Sequence, residues 1–269
     1  MNKQLRSDTL KKLAMLFMFI DHVGAILLQN LYINTIDVTK AQIVYDIYQV
    51  FRSVGRLAMP IFCYQAVVGL FRTRNKTKHM MLLFIAALIS EIPFDISTEG
   101  KIFYWPYQNV IFTLLLGLIA VFLIRWFEES DIYADIASPR LKKFAYCFFT
   151  AAAVFSTSAV AELIHSDYGA KGVILMWIFY IFRNDTVKMS TYGIVLFLIE
   201  IALITYLRTY NVNSVISYCT SEAYACLAFF LISMDNGERR GGALLKWVGY
   251  AFYPVHMLLI YLVSLLIVK

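Results

Sequence analysis

Residues 12–31 read KLAMLFMFIDHVGAILLQNL, an apolar run long enough to cross a membrane as a helix. An α-helix rises 1.5 Å per residue, so about 20 residues cover the roughly 30 Å of a bilayer's hydrocarbon core. Asp21 and His22 interrupt the run near its middle. Ionisable side chains at this depth cost free energy, and they mark functional sites more often than they serve as packing.

The composition extends the membrane interpretation to the whole chain. Hydrophobic residues make up 60% of the 269 residues and charged residues only 16%, whereas soluble domains have about 25% charged residues. We therefore expect an all-α polytopic integral membrane protein built as a single transmembrane helical bundle. Nine spans are predicted, near residues 12–31, 53–71, 79–97, 108–127, 143–163, 168–183, 189–207, 213–234 and 244–267.

Two segments depart from simple membrane crossings. The sixth predicted span, 168–183, is short, so a tilted or partly re-entrant element is expected there. Between the first two spans, residues 36–52 alternate polar and apolar side chains at near-helical spacing. This pattern is typical of an interfacial helix.

The basic residues predict the orientation of the bundle. Lys and Arg concentrate before the first span and in alternate loops, among them 72–78, 140–143 and 239–246. Because cytoplasmic loops carry the excess of Lys and Arg, the N-terminus is predicted inside and the C-terminus outside. The same distribution explains the net charge of +6 by membrane topology, so no nucleic-acid partner is expected. The first span has no small-residue cleavage site after its basic leader and is predicted to be retained.

Four cysteines are scattered along the chain without paired metal spacing or a disulfide framework. We expect small core residues at these positions and no metal site. Whatever chemistry the protein performs must then be built from polar side chains within the helices.

With this topology, polar residues collect in the middle and the outer half of the bundle. Charged groups in a helical bundle usually face an interior cavity, so we predict a polar chamber there. Arg56 leaves two alternatives open, because it can snorkel to lipid headgroups or face the chamber. His256 is balanced between core hydrogen bonding and function. The candidate substrate-binding residues are Arg56, Glu91, Asp95, Gln108, Asn109, Asp167, Tyr168 and His256.

Other polar residues have structural interpretations. Glu200 and Glu222 are expected to act as hydrogen-bonding partners between helices. His79 lies in a basic loop and is expected to be solvated, and His165 at a span boundary is expected at the surface.

Asp21 and His22 are the candidate catalytic residues. Neighbouring helical residues point about 100° apart, so the two side chains do not face each other. Asp21 is therefore predicted to pair with a group such as Arg56 or Lys12, or to reach His22 only in a favourable rotamer. His22 is the candidate general base, because imidazole exchanges a proton near neutral pH.

The spacing of Lys11 and His22 indicates a ligand. Eleven residues make nearly three helical turns, so the two side chains share a face within about 20°, and they lie about 16 Å apart along the axis. Met15 and Met18 fall along the same face. A ligand with an anionic head and a long thin arm fits this layout, and coenzyme A with a terminal thioester is such a ligand.

Several motifs together carry a resemblance to a known family. In chain order they are LAMLFMFIDHVGAILL, VGRLAMPIFCYQAVVGLFRTRNKTKHM, ALISEIPFDI, YQNVIFTLLLGL, DYGAKGVILMWIFYIFR and YAFYPVHMLLIYL. The chain resembles the TraX family of bacterial polytopic membrane proteins, named for the acetylase that modifies the N-terminus of F pilin. The family is in turn similar to transmembrane acyltransferases that include acyltransferase family 3.

The resemblance implies a bacterial inner-membrane enzyme that uses cytosolic acetyl-CoA. The acceptor would be an amine or hydroxyl of a pilin-like peptide, a surface glycan or a small molecule, bound at the outer or middle part of the membrane. His22 would deprotonate it, Asp21 would stabilise the imidazolium, and Arg56, Gln108 or Asn109 would donate hydrogen bonds to the developing oxyanion. The residues implied in holding acetyl-CoA are Lys11, Lys12, Arg72 and Arg74.

Two other function classes stay open from the sequence. Mid-membrane Asp, Glu and His residues also suit a proton-coupled transporter or permease, although no inverted repeat with paired broken helices is evident. A non-catalytic membrane assembly factor is the third possibility. Binding of acetyl-CoA would distinguish the acyltransferase from the transporter and the assembly factor.

Overall fold

The computed structural model describes residues 4–267, apart from the side chains of Thr186 and Ala243. The described chain is a bundle of helices, as predicted. The α-helices are α1 (Ser7–His22), α2 (Gln29–Asn34), α3 (Val38–Gly55), α4 (Ala58–Arg72), α5 (Lys76–Glu99), α6 (Val110–Glu128), α7 (Asp131–Ala134), α8 (Pro139–Leu163), α9 (Gly169–Ile181), α10 (Thr186–Thr209), α11 (Val212–Glu222), α12 (Cys226–Ser233) and α13 (Gly242–Ile267).

Eight helical segments of the described chain are long and apolar enough to cross a membrane. They correspond to eight of the nine predicted spans, so the protein is a multi-pass membrane protein. The sixth predicted span is the shorter apolar helix α9. Its 13 residues rise only about 20 Å, which fits the short element expected there. The orientation of the termini stays a prediction.

Helix α9 packs along α4, although α9 is shorter than a full membrane crossing. Near its start, Gly172 packs against the Met59 side chain, and near its end the Tyr180 ring stacks on Phe71, with centroids 5.8 Å apart. The two helices therefore run in the same direction. A side chain at position 172 would collide with Thr113 of α6, so a glycine is required for this close approach.

The first crossing is longer than predicted and changes helical form. It extends over Ser7–Asn34, and a π-helical segment, Val23–Leu28, lies between α1 and α2. The π-helical segment begins directly after His22. Such segments are rare in proteins and frequently occur at functional sites.

The predicted interfacial segment 36–52 is helix α3, which packs antiparallel against the first crossing. Tyr45 contacts Tyr32 near one end of the contact, and Arg52 bonds Asp21 near the other. After a two-residue turn the chain continues as α4, whose third residue, Pro60, has no N–H for the helical ladder. Helices α3 and α4 together make up one of the eight membrane-spanning segments, Val38–Arg72, which is 35 residues long.

The buried apolar side chains form two main clusters. The larger one joins α1, α4, α6, α9, α10 and α12 and includes Leu118, Met176 and Phe229. The other joins α5, α13 and the π-helical segment around Phe94 and Met257. Helices α1, α4, α5, α6 and α13 enclose a cavity between these clusters. The four cysteines are free.

Candidate functional site

The cavity has a volume of about 720 Å³ and carries polar residues at both ends. We define its basic end by the cationic and imidazole side chains Lys11, Arg72, His79, Arg239 and Lys246. We define its opposite end by Arg52, Arg56, Tyr107, Asp167 and Tyr168. His22 lines the cavity between the two ends. Of the two methionines predicted on the face of Lys11 and His22, Met18 lines the cavity, whereas Met15 is buried in the bundle.

His22 is paired with a second histidine. Its Nδ1 lies 2.6 Å from Nε2 of His256 on α13, and the two rings are stacked with centroids 4.8 Å apart. Nδ1 of His256 lies 2.5 Å from the backbone carbonyl oxygen of Phe252. His256 is 3% exposed and lies behind His22, outside the cavity lining.

These contacts determine which nitrogen of each neutral ring carries the proton. A carbonyl oxygen only accepts, so Nδ1 of His256 must donate to Phe252. Nε2 of His256 is then an acceptor, and Nδ1 of His22 donates to it. The assignment follows from the hydrogen-bond pattern, and it leaves the Nε2 lone pair of His22 available as a base.

Asp21 turns away from His22, as the helical phase predicted. Its Oδ2 lies 2.6 Å from Nη1 of Arg52, and its Oδ1 and Cβ pack directly against Gly55. The prediction of Arg56 or Lys12 as the partner was wrong. The antiparallel contact of α3 with the first crossing brings Arg52, one turn before Arg56, to the level of Asp21.

Arg56 faces the cavity and forms its own ion pair. Its Nη1 lies 3.2 Å from Oε1 of Glu222, whose side chain is 5% exposed. Glu222 is thus the structural partner expected from the sequence. Glu200 is also buried, yet its carboxylate oxygens make no hydrogen bond with the described residues.

Asp167 is the acidic group of the opposite end. The Tyr107 hydroxyl donates to its Oδ1 at 2.8 Å. Burial raises the pKa of the Asp167 carboxyl, and the hydrogen bond from Tyr107 opposes that shift. A backbone bond from Asp167 N to the Gln108 carbonyl, 2.8 Å long, fixes the loop that carries it.

Four predicted substrate-binding residues serve the structure instead of lining the cavity. Asn109 caps α6 by accepting from Ile111 N, and its amide donates to Glu91. Asp95 accepts from Tyr104 N at 2.7 Å, and Gln108 donates to the Trp105 carbonyl at 2.7 Å.

Only part of the predicted donor-binding set reaches the cavity. Lys11 lines it and donates to the Leu245 carbonyl oxygen at 3.2 Å, and Arg72 lines it as well. Lys12 and Arg74 are exposed and lie outside its lining.

Sequence reasoning missed several residues of the cavity. His79 is half-buried at the basic end, within 3.4 Å of the Tyr250 hydroxyl, and the expectation that it is solvated was wrong. Arg239 and Lys246 lie in a basic inner loop of the kind expected to hold the donor phosphates, but they were not among the named donor-binding residues. Arg52 has no signal in the sequence apart from its position one turn before Arg56. His165 is exposed, as predicted.

Comparison with known proteins places the chain in a family. The family model described as TraX protein matches residues 6–264. The chain belongs to the TraX family. Among curated proteins, it is 26% identical over 223 residues to a probable fimbrial assembly protein FimC, serogroup H1, of Dichelobacter nodosus, covering 79% of this chain and 82% of that protein. No solved structure matches the chain.

Proposed function

We propose that this TraX-family protein is an acetyltransferase of the bacterial inner membrane that moves an acetyl group from cytosolic acetyl-CoA to an acceptor amine or hydroxyl. The observation that carries the proposal is the cavity, which joins a cationic end to a histidine held ready as a base. Family membership supports the same reaction class, because TraX is the pilin acetylase family.

The basic end suits the phosphates of the donor. Lys11, Arg72, Arg239 and Lys246 form no ion pair with the described carboxylates. Burial and the neighbouring Arg72 lower the pKa of Arg239, and Asp8 and Asp235 offset this shift only in part, as expected where cations outnumber carboxylates. Bound phosphates would supply the missing negative charge.

The distance from the basic end to His22 suits the arm of the donor. Eleven residues of α1 separate Lys11 from His22, which amounts to about 16 Å. Between them the cavity is lined by apolar side chains, including Met59, Phe62 and Leu118. A pantetheine arm would lie along these residues and bring its thioester to the imidazole.

The transfer itself needs one base and one acid. Nε2 of His22 takes the proton from the acceptor N–H or O–H as the acceptor attacks the thioester carbon. The C–S bond then breaks, the acyl group stays on the acceptor, and the thiolate takes the proton from Nε2. The products are the acetylated acceptor and CoA with a free thiol. The step requires no metal.

His256 holds His22 in the required state. By accepting from Nδ1 of His22, it fixes the tautomer whose Nε2 is a base. The resulting imidazolium keeps this hydrogen bond, and the Asp21–Arg52 pair lies one residue away on the same helix. In this proposal Asp21 organises the helix contact and has no proton-transfer role.

The acceptor enters from the opposite end, where Asp167, Tyr107 and Arg52 line the cavity. A pilin-like peptide is one candidate acceptor, because the D. nodosus relative is named for fimbrial assembly. That name also supports a second function, a non-catalytic assembly factor. A surface glycan or a small molecule fits the same position.

The test uses purified protein in detergent, with membranes of the producing bacterium as the source of the acceptor. Binding is measured by titrating labelled acetyl-CoA onto the protein. Transfer is measured as the label that has moved from CoA to membrane material. We expect saturable binding, label transfer, and loss of transfer in His22→Ala with retained binding and thermal stability.

The outcomes separate the two functions. Absence of acetyl-CoA binding at millimolar ligand would exclude the enzyme and leave the assembly factor. Near-wild-type transfer by His22→Ala would show that another group is the base. If His22→Ala loses transfer but fimbriae still assemble, acetylation and assembly are separate activities of this protein.

A further inference from the structure

Tyr253 of α13 is a buried phenol next to the histidine pair. Its side chain is 4% exposed, and it lines the cavity. Its ring meets the His22 ring edge to face, with centroids 5.7 Å apart, and the His256 ring in the same manner at 5.9 Å. The phenol therefore lies beside the imidazole that the proposed reaction uses.

The hydroxyl of Tyr253 makes no hydrogen bond with the described residues, although it is buried. Leaving a buried hydroxyl unpaired costs free energy, and such groups are uncommon in folded proteins. The backbone N–H of Val110 lies toward the phenol oxygen without forming a hydrogen bond of normal geometry. An N–H can only donate, so Val110 cannot accept the proton of the Tyr253 hydroxyl.

The start of α6 lies beside this hydroxyl, and the carboxylates of Glu91 and Asp167 are close enough to act on it as well. Val110 is the first residue of α6, a helix of 19 residues, and the first N–H groups of a helix lack intrahelical acceptors. The helix dipole adds partial positive charge at the same end. Val110 and Ile111 line the cavity beside Tyr253.

We propose that Tyr253 donates a hydrogen bond to the carbonyl oxygen of the transferred acyl group as that oxygen becomes an oxyanion. The proposal rests on the acetyl transfer proposed above and adds the group that polarises the thioester. When the acceptor attacks, the carbonyl π electrons move to oxygen, and the Tyr253 O–H stabilises them without losing its proton. On collapse the C–S bond breaks and the carbonyl re-forms.

This role replaces part of the expectation from the sequence. Gln108 and Asn109 are engaged in loop and cap contacts, and Arg56 is paired with Glu222. Tyr253 is a donor whose ring lies beside His22 and whose hydroxyl has no acceptor among the described residues. A donor placed in advance at an oxyanion is worth about 10²–10³ in turnover.

The test compares Tyr253→Phe with Tyr261→Phe, a tyrosine of the same helix that lies outside the cavity lining. Both variants lose only a hydroxyl. Transfer from labelled acetyl-CoA is measured in the producing membranes, together with acetyl-CoA binding and thermal unfolding of the purified proteins. For Tyr253→Phe we expect turnover to fall by about 10²–10³ with an unchanged KM for acetyl-CoA.

The thermal stability of Tyr253→Phe distinguishes a role in the reaction from a structural role. Removing a buried hydroxyl that has no partner leaves stability unchanged or raises it. Tyr261→Phe is expected to retain full turnover. Normal turnover of Tyr253→Phe, or a loss of turnover accompanied by a lower unfolding temperature, would overturn the inference. Absence of transfer by the wild-type protein would overturn the proposed function and, with it, this role.

Discussion

The two ends of the cavity carry positive charge in different ways. At the opposite end each arginine has a carboxylate partner, Asp21 for Arg52 and Glu222 for Arg56. At the basic end, Lys11 and Arg239 point to backbone and amide oxygens instead, at 3.2 and 3.3 Å. Paired charges position helices, whereas unpaired charges that gather at one cavity mouth create a site for an anion.

The carboxylates near the basic end show why its cations are unpaired. Asp235 accepts from the hydroxyls of Ser7 and Tyr64, and Asp8 accepts from the backbone N–H groups of Arg240 and Gly241. Both carboxylates hold the loop before α13 against the N-terminal end of α1. These two carboxylates hold the fold and act on Arg239 as distant counter-charges, but they are fewer than the four cations of the basic end. The proposed anionic donor would neutralise the excess.

The largest effect is expected from breaking a pair at the opposite end. Asp21→Asn leaves the guanidinium of Arg52, 24% exposed, without its counter-charge. Removing one partner of a buried ion pair costs about 3–5 kcal/mol, and the partial exposure of this pair places the loss at the lower bound. Thermal unfolding in detergent measures it.

The affinity for acetyl-CoA should be unchanged in Asp21→Asn, because the pair lies away from the basic end. The double variant Asp21→Asn with Arg52→Gln removes both charges and should recover most of the stability. If the double variant is no more stable than Asp21→Asn, the pair is not the source of the loss.

The next effect concerns the unpaired cations. Lys11→Gln removes a charge that we expect to contact a donor phosphate, and hydrogen bonds to charged groups contribute about 1.5–3 kcal/mol. The dissociation constant for acetyl-CoA should therefore rise about 10- to 100-fold, with little change in unfolding temperature. Equilibrium binding of labelled acetyl-CoA measures the change.

Lys12→Gln is the matched control for this prediction. Lys12 is adjacent in sequence but exposed and outside the cavity, so acetyl-CoA affinity should be retained. Equal losses in the two variants would show that general surface charge, and not the cavity, attracts the donor.

The difference between the two ends also shows what the sequence could predict. The apolar runs predicted the crossings because hydrocarbon thickness sets a length that each helix must satisfy. The eleven-residue spacing placed Lys11 and His22 on one cavity, because both residues lie on a single helix whose phase is fixed. Features within one helix were therefore predictable.

Features formed between helices were not predictable. Nothing in one sequence gives the register of α3 against the first crossing, so Asp21 was matched to Arg56 instead of Arg52. His256 was recognised as polar, but its contact with His22 depends on how α13 packs beside α1. His79 was assigned to a solvated loop because the start of α5 could not be placed against the cavity.

A smaller effect is expected from Arg239→Gln. The guanidinium lines the basic end from a loop, and its Nη2 lies 3.3 Å from Oε1 of Gln65. Because a loop residue contributes less ordered charge than Lys11, we expect the dissociation constant for acetyl-CoA to rise about threefold to tenfold, about 0.7–1.4 kcal/mol. Arg240→Gln is the control, since Arg240 is exposed and 3.6 Å from Glu238.

Salt should produce the smallest effect and should distinguish the two ends without any substitution. The Debye length falls from about 10 Å at 0.1 M salt to about 3 Å at 1 M, so the attraction between the basic end and an anionic donor weakens. The Asp21–Arg52 and Arg56–Glu222 pairs are in direct contact and largely buried, and they are screened much less. Acetyl-CoA affinity should therefore decline with sodium chloride while the unfolding temperature changes little. A parallel decline of both would mean that the stability of the fold also depends on exposed charges.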